Sequence, residues 1–375
     1  MTKARENSDY TGLAADLAGL QTNITAGDTA ARAGRKNLIL NGSMQVSQRG
    51  TSSAGLGASN GYFTLDRWAI QQGNSAGRFT MTQDSDGPAG FANCLKLDCT
   101  TADTSIAAGE TLILQQMIEG QDLQQLKKGT SSAEQVTISF WVKGNASATA
   151  VAEIYDLDND VHINQLFSIT TDWVRVELTY DGDTAARVFN DDNGASLQFN
   201  IWLHSGSTFS SGSIQSSWGS NNGGRAAGIS SFYDSTARTF SITGVQLEVG
   251  SGTDFEHRSY GEELALCMRY YEIMGGTAAA DYDFMFIGAV WTTTQARFGL
   301  QWKVPKRTSP TVTESGTWYA RNASGQSGSV TSKSLEQPTP FGLSPFVTVS
   351  GGGLTAGNAT QIWASDGKII ADSEL

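Results

Sequence analysis

The feature that most constrains this chain is its punctuation. From Asn37 to Gly250 it runs as short segments rich in β-branched and aromatic residues, each bounded by Gly, Asp, Asn or Ser. They are NLILNGSMQV, YFTLDRWAI, TLILQQMI, VTISFWVKG, TAVAEIYDL, WVRVELTYDGD, SLQFNIWLH and FSITGVQLEVG. Glycine supplies positive φ and small polar side chains satisfy turn backbone, so this spacing predicts strands joined by tight turns. Over about 210 residues it predicts a two-sheet sandwich of jelly-roll kind. The 42 glycines among 375 residues suit that reading and not a helical bundle.

The flanks differ. In residues 1–36, Leu13, Leu17, Leu20 and Ile24 fall at spacings of four, three and four, an a/d seam about two heptads long. Alone it is too short to be stable, which predicts a helical arm that oligomerises beside larger neighbours, with a frayed arm as the alternative. At Ser259 the pattern turns helical. Ser259 and Glu262 form the S-x-x-E capping box, and Leu264, Cys267, Met268 and Tyr271 recur at i, i+3, i+4 and i+7. Gly275 and Gly276 are the expected stop, so 251–275 is predicted as a linker and capped helix. Strand texture then returns in DYDFMFIGAVW, QARFGLQWKV, SPTVTESGTWYA, SPFVTVSGGG and ATQIWASDGKIIADSEL, predicting a C-terminal β domain over 276–375, with Arg321 to Ser334 as a loop. The predicted class is all-β: a jelly-roll sandwich at 37–250, a short helix, a smaller C-terminal β domain, and a short N-terminal helical arm.

Charge and cysteine content narrow the function. With 25 Lys and Arg against 37 Asp and Glu, the chain lacks the basic footprint of a nucleic-acid or anionic-membrane binder. The N-terminal residues carry no apolar signal segment, and no run approaches the roughly 18 apolar residues of a membrane span. Cys94, Cys99 and Cys267 are odd in number and fit no zinc spacing, which predicts reduced thiols, with a Cys94–Cys99 bridge as the alternative.

Signals for chemistry are weak. GASNG, Gly57 to Gly61, has the letters of a nucleophile elbow without the strand before it and the helix after it. DLDND, Asp156 to Asp160, begins like a calcium loop, but Val161 and Phe167 stand where glycine and glutamate belong. A solvated acidic turn and an irregular calcium site both stay open. His162, His204 and His257 share no ligand pattern. Glu262 and Glu263 fall in the first turn of the predicted helix, where its dipole favours anions. Neither a catalytic residue, a metal nor a cofactor is predicted. Exposed rings remain: Trp218 in a Gly/Ser/Asn loop, and Trp318 with Tyr319 in GTWYARNASG. Sugar C–H faces stack on such rings, so these three are the candidate glycan-binding residues. The alternative is that each folds back onto its own domain or a neighbouring subunit.

NLILNGSMQV, the DRW of Asp66–Trp68, VTISFWVKG and ITGVQLEVG resemble, in that order, landmarks of jelly-roll carbohydrate-binding modules. The stretch VGSGTDFEHRSYGEELALCMRYYE resembles a segment of phage tail-fibre and related virion proteins of environmental and marine type, where it joins a jelly roll to a C-terminal β domain. Such chains also end in an acidic D-x-E-L, here Asp372–Leu375. Thr243 and Gly244 stand where calcium-bearing modules carry an acidic pair, and Asp254 stands where the phage segment has proline. The resemblance implies a homotrimeric virion fibre or spike subunit, assembled in the host cytoplasm. It would be held by its arm to another virion protein and would bind host surface glycans multivalently. The alternatives are a connector or capsid-decorating fibre without receptor binding, and a polysaccharide depolymerase.

Overall fold

The computed structural model describes residues 35–275, 284–322, 327–351 and 353–375. The predicted seam residues Leu13, Leu17, Leu20 and Ile24 lie outside them.

Twelve strands build a jelly-roll sandwich. They are β1 (Ser52–Leu56), β2 (Gly61–Tyr62), β3 (Ala69–Gly73), β4 (Arg78–Asp84), β5 (Cys94–Thr101), β6 (Thr111–Glu119), β7 (Val136–Gly144), β8 (Ala148–Asp156), β9 (Val161–Ile169), β10 (Val174–Tyr180), β11 (Ala195–Ser205) and β12 (Thr239–Val249). One sheet has the order β1-β4-β5-β12-β7-β10 and the other β2-β3-β6-β11-β8-β9. The period of two does the sorting. In β11, Leu197, Phe199, Ile201 and Leu203 enter the shared core, and in β7 Ile138, Phe140 and Val142 do. Trp68 is fully buried among them, edge-on to Phe199. In β12 the register shifts between Thr243 and Gln246, and Gly244 takes φ 62° there. A Cβ on Gly244 would lie 2.6 Å from the Phe91 ring, so the bulge requires glycine and no acidic pair fits.

NLILNGSMQV is not a strand, contrary to expectation. Asn37 Oδ1 accepts from the Ile39 and Leu247 amides, and Asn41 brackets Val46 through both side-chain ends. These two side chains take the backbone's hydrogen bonds in place of a ladder.

Ser259 caps a helix at Tyr260–Met268, its Oγ accepting from the Glu262 amide. The helix stops short of Gly275, and Tyr271 lies in β13 (Tyr271–Gly275), paired with Asp372. Its buried positions are Glu263 and Cys267, with Tyr270 following, while Leu264 and Met268 are half-buried. Glu262 ion-pairs Arg35, and Glu263 accepts from the Asn41 amide at 2.5 Å. Glu256 accepts from the amides of Lys36 and Asn37, and Arg258 donates to the carbonyls of Asn37 and Ile39. The charges of FEHRSYGEE thus clamp residues 35–41.

A second core forms beyond the helix. Its strands are β13, β14 (Phe284–Val290), β15 (Gln295–Phe298), β16 (Leu300–Gln301), β17 (Thr311–Asn322), β18 (Ser327–Ser334), β19 (Gly342–Leu343), β20 (Phe346–Val349) and β21 (Ala359–Asp372). β21 pairs with β14 on one side and β17 on the other, and β15, β20 and β18 complete the circuit. The result is a small closed barrel, which removes sheet edges. β13 pairs with the distal half of β21. β18 corrects the reading of Arg321 to Ser334 as a loop: small polar residues suffice for a strand whose two neighbours supply the apolar side chains.

The two bodies are locked by charge. Glu119, fully buried, accepts two bonds from Arg269, at 2.8 and 2.7 Å, and one from the Tyr270 hydroxyl. Burial alone would raise its carboxyl, but these bonds outweigh burial and hold it below the ordinary range. Lys306 of the barrel pairs with buried Glu272 at 2.7 Å and donates to Met268 O at the helix C-terminus. The acidic tail folds back on the DRW landmark: Glu374 meets the Arg67 guanidinium, which lies 3.5 Å from the Tyr270 ring centroid. Among the described residues no helix is long and apolar enough to cross a membrane.

Candidate functional site

The outward face of the second sandwich sheet is polar and closed. Gln115, Asn200, Glu153 and Asn164 form one row across β6, β11, β8 and β9. Segment 206–231 lies over this face and packs Phe209, Ile214, Ala226 and Ile229 against Ile113, Val151 and Trp202. It inserts Arg225, which makes two 2.7 Å bonds to Glu153 and sits 4.5 Å from the Tyr155 ring. Asn164, Asn200 and Trp202 also donate to Glu153. Burial would raise this carboxyl, and the five bonds reverse the shift. The polar row of this sheet face is filled by the chain's own arginine. Trp218, predicted for glycan contact, belongs to this covering segment. It is half-buried against the main core and donates to Asp181 O at 2.7 Å.

Of the acids of DLDND, Asp156 is structural, while Asp158 and Asp160 are exposed and make local bonds. Asp156 is buried and pairs with Lys128 at 2.5 Å, which also meets Asp183 at 3.0 Å. Asp158 holds Asn190, and Asp160 accepts from Tyr155. Among the described residues no group of three or more His, Cys, Asp or Glu is placed to hold a metal. Ser231, His204 and Glu110 line up at 2.8 and 3.1 Å. However, Ser231 Oγ caps a turn by accepting from the Tyr233 amide, and His204 is fully buried. The cavity beside Ser231 is about 20 Å³, too small for a substrate. Cys94, Cys99 and Cys267 are buried free thiols.

A larger cleft of about 670 Å³ opens at the junction beside Arg49, Tyr62, Tyr271 and Arg307. Its cations are already engaged. Arg49 meets Glu374 at 3.1 Å and lies 3.5 Å from the Tyr271 centroid, while Arg307 donates to the carbonyls of Asn193, Ser373 and Glu374.

The barrel differs in what it leaves outside. Its inward positions include Trp318, Ala320, Ile362, Ala364, Ala296 and Phe298. Alternation turns Tyr319, Arg321, Gln361, Trp363, Ile287 and Arg297 outward. Tyr319 and Trp363 are register partners, stacked with centroids 4.2 Å apart and planes at 18°. Arg321, Gln361 and Ile287 form the next row across β17, β21 and β14. Beyond it, Arg297 pairs in register with Ala289 and Phe346. Its guanidinium lies 5.1 Å from the Trp291 centroid and 5.6 Å from that of Phe346. Two ring-bearing patches result on different sides of the barrel, Tyr319–Trp363 on β17 and β21 and the Arg297 group on β15 and β20. The three most exposed large apolar side chains described are Ile287 at 77 %, Phe341 at 69 % and Trp291 at 65 %, all in the barrel. By β16 and β19 an open groove of about 640 Å³ is lined by Gln301, Gln337, Thr339, Phe341 and Ser344.

Of the predicted ring residues, Tyr319 alone lies on the barrel's outer surface. Trp318 is 0 % exposed, fills the barrel core and donates to Ser315 O, which corrects its reading as a surface platform. Trp291, Trp363, Phe341 and Arg297 were missed. Each sits in a run that reads as a strand or a turn, and only the neighbouring strands show which face is outside.

No protein-family profile matches the chain, and no curated protein matches it in sequence. Among solved structures, a family 4 carbohydrate-binding module is 16 % identical over 56 % of this chain and 98 % of its own length, with a TM-score of 0.30. The enzymatically active domain of tailspike protein 4 of bacteriophage CBA120 is 14 % identical over 57 % of this chain and 21 % of its own, with a TM-score of 0.30. A xylan-binding domain of Paenibacillus barcinonensis Xyn10C is 12 % identical over 58 % of this chain and 96 % of its own, with a TM-score of 0.28.

Proposed function

We propose that this chain is a virion attachment protein, a tail-fibre or spike subunit whose barrel wall binds host surface glycans. The observation that carries the reading is the contrast between its two bodies. The sandwich covers its polar sheet face with its own segment and fills it with Arg225. The barrel leaves Trp291, Ile287 and Phe341 exposed and carries the stacked Tyr319–Trp363 pair on its outer surface. Exposed apolar side chains of this size mark interaction surfaces, and rings suit the C–H faces of sugars. The sequence resemblance supplies the virion setting, the homotrimer and the attachment role of the arm.

In this reading the sandwich is a spacer and the ion-paired junction keeps the barrel in a fixed pose. Three weak sites on one rigid trimer raise avidity without any single tight site. The chemistry is binding, with no bond broken. The test is a bacterial-glycan array probed with the full chain and with Trp291→Ala and Tyr319→Ala. Binding by the parent and its loss in both variants, with unfolding temperatures unchanged, is expected. An array without signal, in a preparation shown to be trimeric, refutes glycan attachment and leaves the connector role.

A further inference from the structure

We propose that the sugar taken at the Trp291 end of the wall is anionic, with a carboxylate received by Arg297. This deepens the glycan-binding reading and rests on it. Residues 271–375 carry seven Lys and Arg against eight Asp and Glu, so nearly all of the chain's net −12 lies outside the barrel. The placement of unengaged cations is more telling. Among the described residues, Arg297, Lys303, Arg321 and Lys368 are the Lys and Arg side chains that make neither a hydrogen bond nor an ion pair. All four are in the barrel, and Arg297 among them lies against two rings. In the sandwich each described cation has a carboxylate or carbonyl partner, down to Arg78, which bonds the carbonyls of Ser75 and Gly77.

Arg297 is also preorganised. It is exposed, with Trp291 and Phe346 each 5–6 Å from its guanidinium carbon. Contact with ring faces engages the face of a guanidinium and leaves its N–H edge available to two oxygens. A planar carboxylate matches that edge, and the sugar ring that bears it would lie against Trp291. Arg321, three strands from Arg297 in a closed circuit of six, faces the opposite side of the barrel and takes no part in this site.

The test uses the full chain and three oligosaccharides of equal length: an oligogalacturonate, a neutral galacto-oligosaccharide and a phosphorylated one. The galacturonate should bind about ten-fold tighter than the neutral oligomer at 50 mM salt, and the preference should shrink toward unity at 500 mM. Arg297→Gln should bring the charged-to-neutral affinity ratio to unity, and Arg297→Lys should keep part of it. Equal affinity for charged and neutral oligomers, or a preference unchanged in Arg297→Gln, overturns the proposal while the glycan-binding reading survives. Tighter binding of the phosphorylated oligomer overturns the carboxylate assignment. Binding of none of the three overturns both.

Discussion

Arg67, the middle residue of the DRW landmark, is held by Glu374. Both side chains are buried, at 1 % and 5 % exposure. Arg67 also donates to Met117 O at 2.7 Å and adopts φ 70°. The last residues therefore reach across the fold to a site set more than 300 positions earlier. Breaking a buried pair from one side strands a charge. Glu374→Gln should cost about 3 kcal/mol in urea unfolding. A change below 1 kcal/mol would show that the tail does not hold the junction.

Asp66, beside Arg67, gives the junction a pH dependence. Burial pushes its carboxyl up to about 6, against the pull of its two bonds from Gln48 and of Arg49 at 3.7 Å. A folded pKa above the unfolded one means the folded state holds the proton more tightly. The stabilisation is complete below pH 4 and lost as pH rises through 6, a change of about 3 kcal/mol. In Asp66→Asn this loss should vanish, so parent and variant stabilities should diverge between pH 4.5 and 7.5. A difference that stays flat with pH would contradict the assignment.

Arg225→Ala should leave Glu153 buried without its cation and destabilise the sandwich by about 3 kcal/mol. Segment 206–231 should become the first site of proteolytic cleavage, read by mass spectrometry of limited digests. An unchanged digestion pattern would mean that the segment is held by its apolar contacts alone.

Adjacent ring residues should separate cleanly. Trp318→Ala empties a filled core position and should cost about 3–5 kcal/mol. Tyr319→Ala should change stability by less than about 1 kcal/mol, while weakening glycan binding. Thermal unfolding of the two variants together decides the point, and equal losses would place both rings in the core.

The thiols should be silent. Burial raises Cys94 to about 12 and Cys267 well above its ordinary value, and Cys99 is raised as well. Ellman's reagent should find none of the three in the native protein within minutes and all three in guanidinium.

What was legible in the sequence was local. Ser259 announced its helix because a cap is decided within three residues. The strands of the sandwich showed themselves through alternation, which needs no partner. What stayed hidden depended on distant partners. Tyr271 fits a helical face as well as a strand, and its partner Asp372 lies about a hundred residues on. Trp318 and Tyr319 face opposite sides because neighbours in a strand must, but only the closed barrel decides which side is inside. Glu153 looked like any strand acid until Arg225, 72 positions later, reached it.

Barrel closure falls to β21, which bonds β13, β14 and β17 and ends at Asp372. During synthesis the sandwich strands are all present once Val249 has emerged, whereas the barrel waits for Asp372. At 5–20 residues per second that is a delay of roughly 6–25 s. A chain stopped before Ala359 would therefore carry every sandwich strand beside a barrel whose β14 and β17 have lost their shared partner, two open edges ready to pair with another chain.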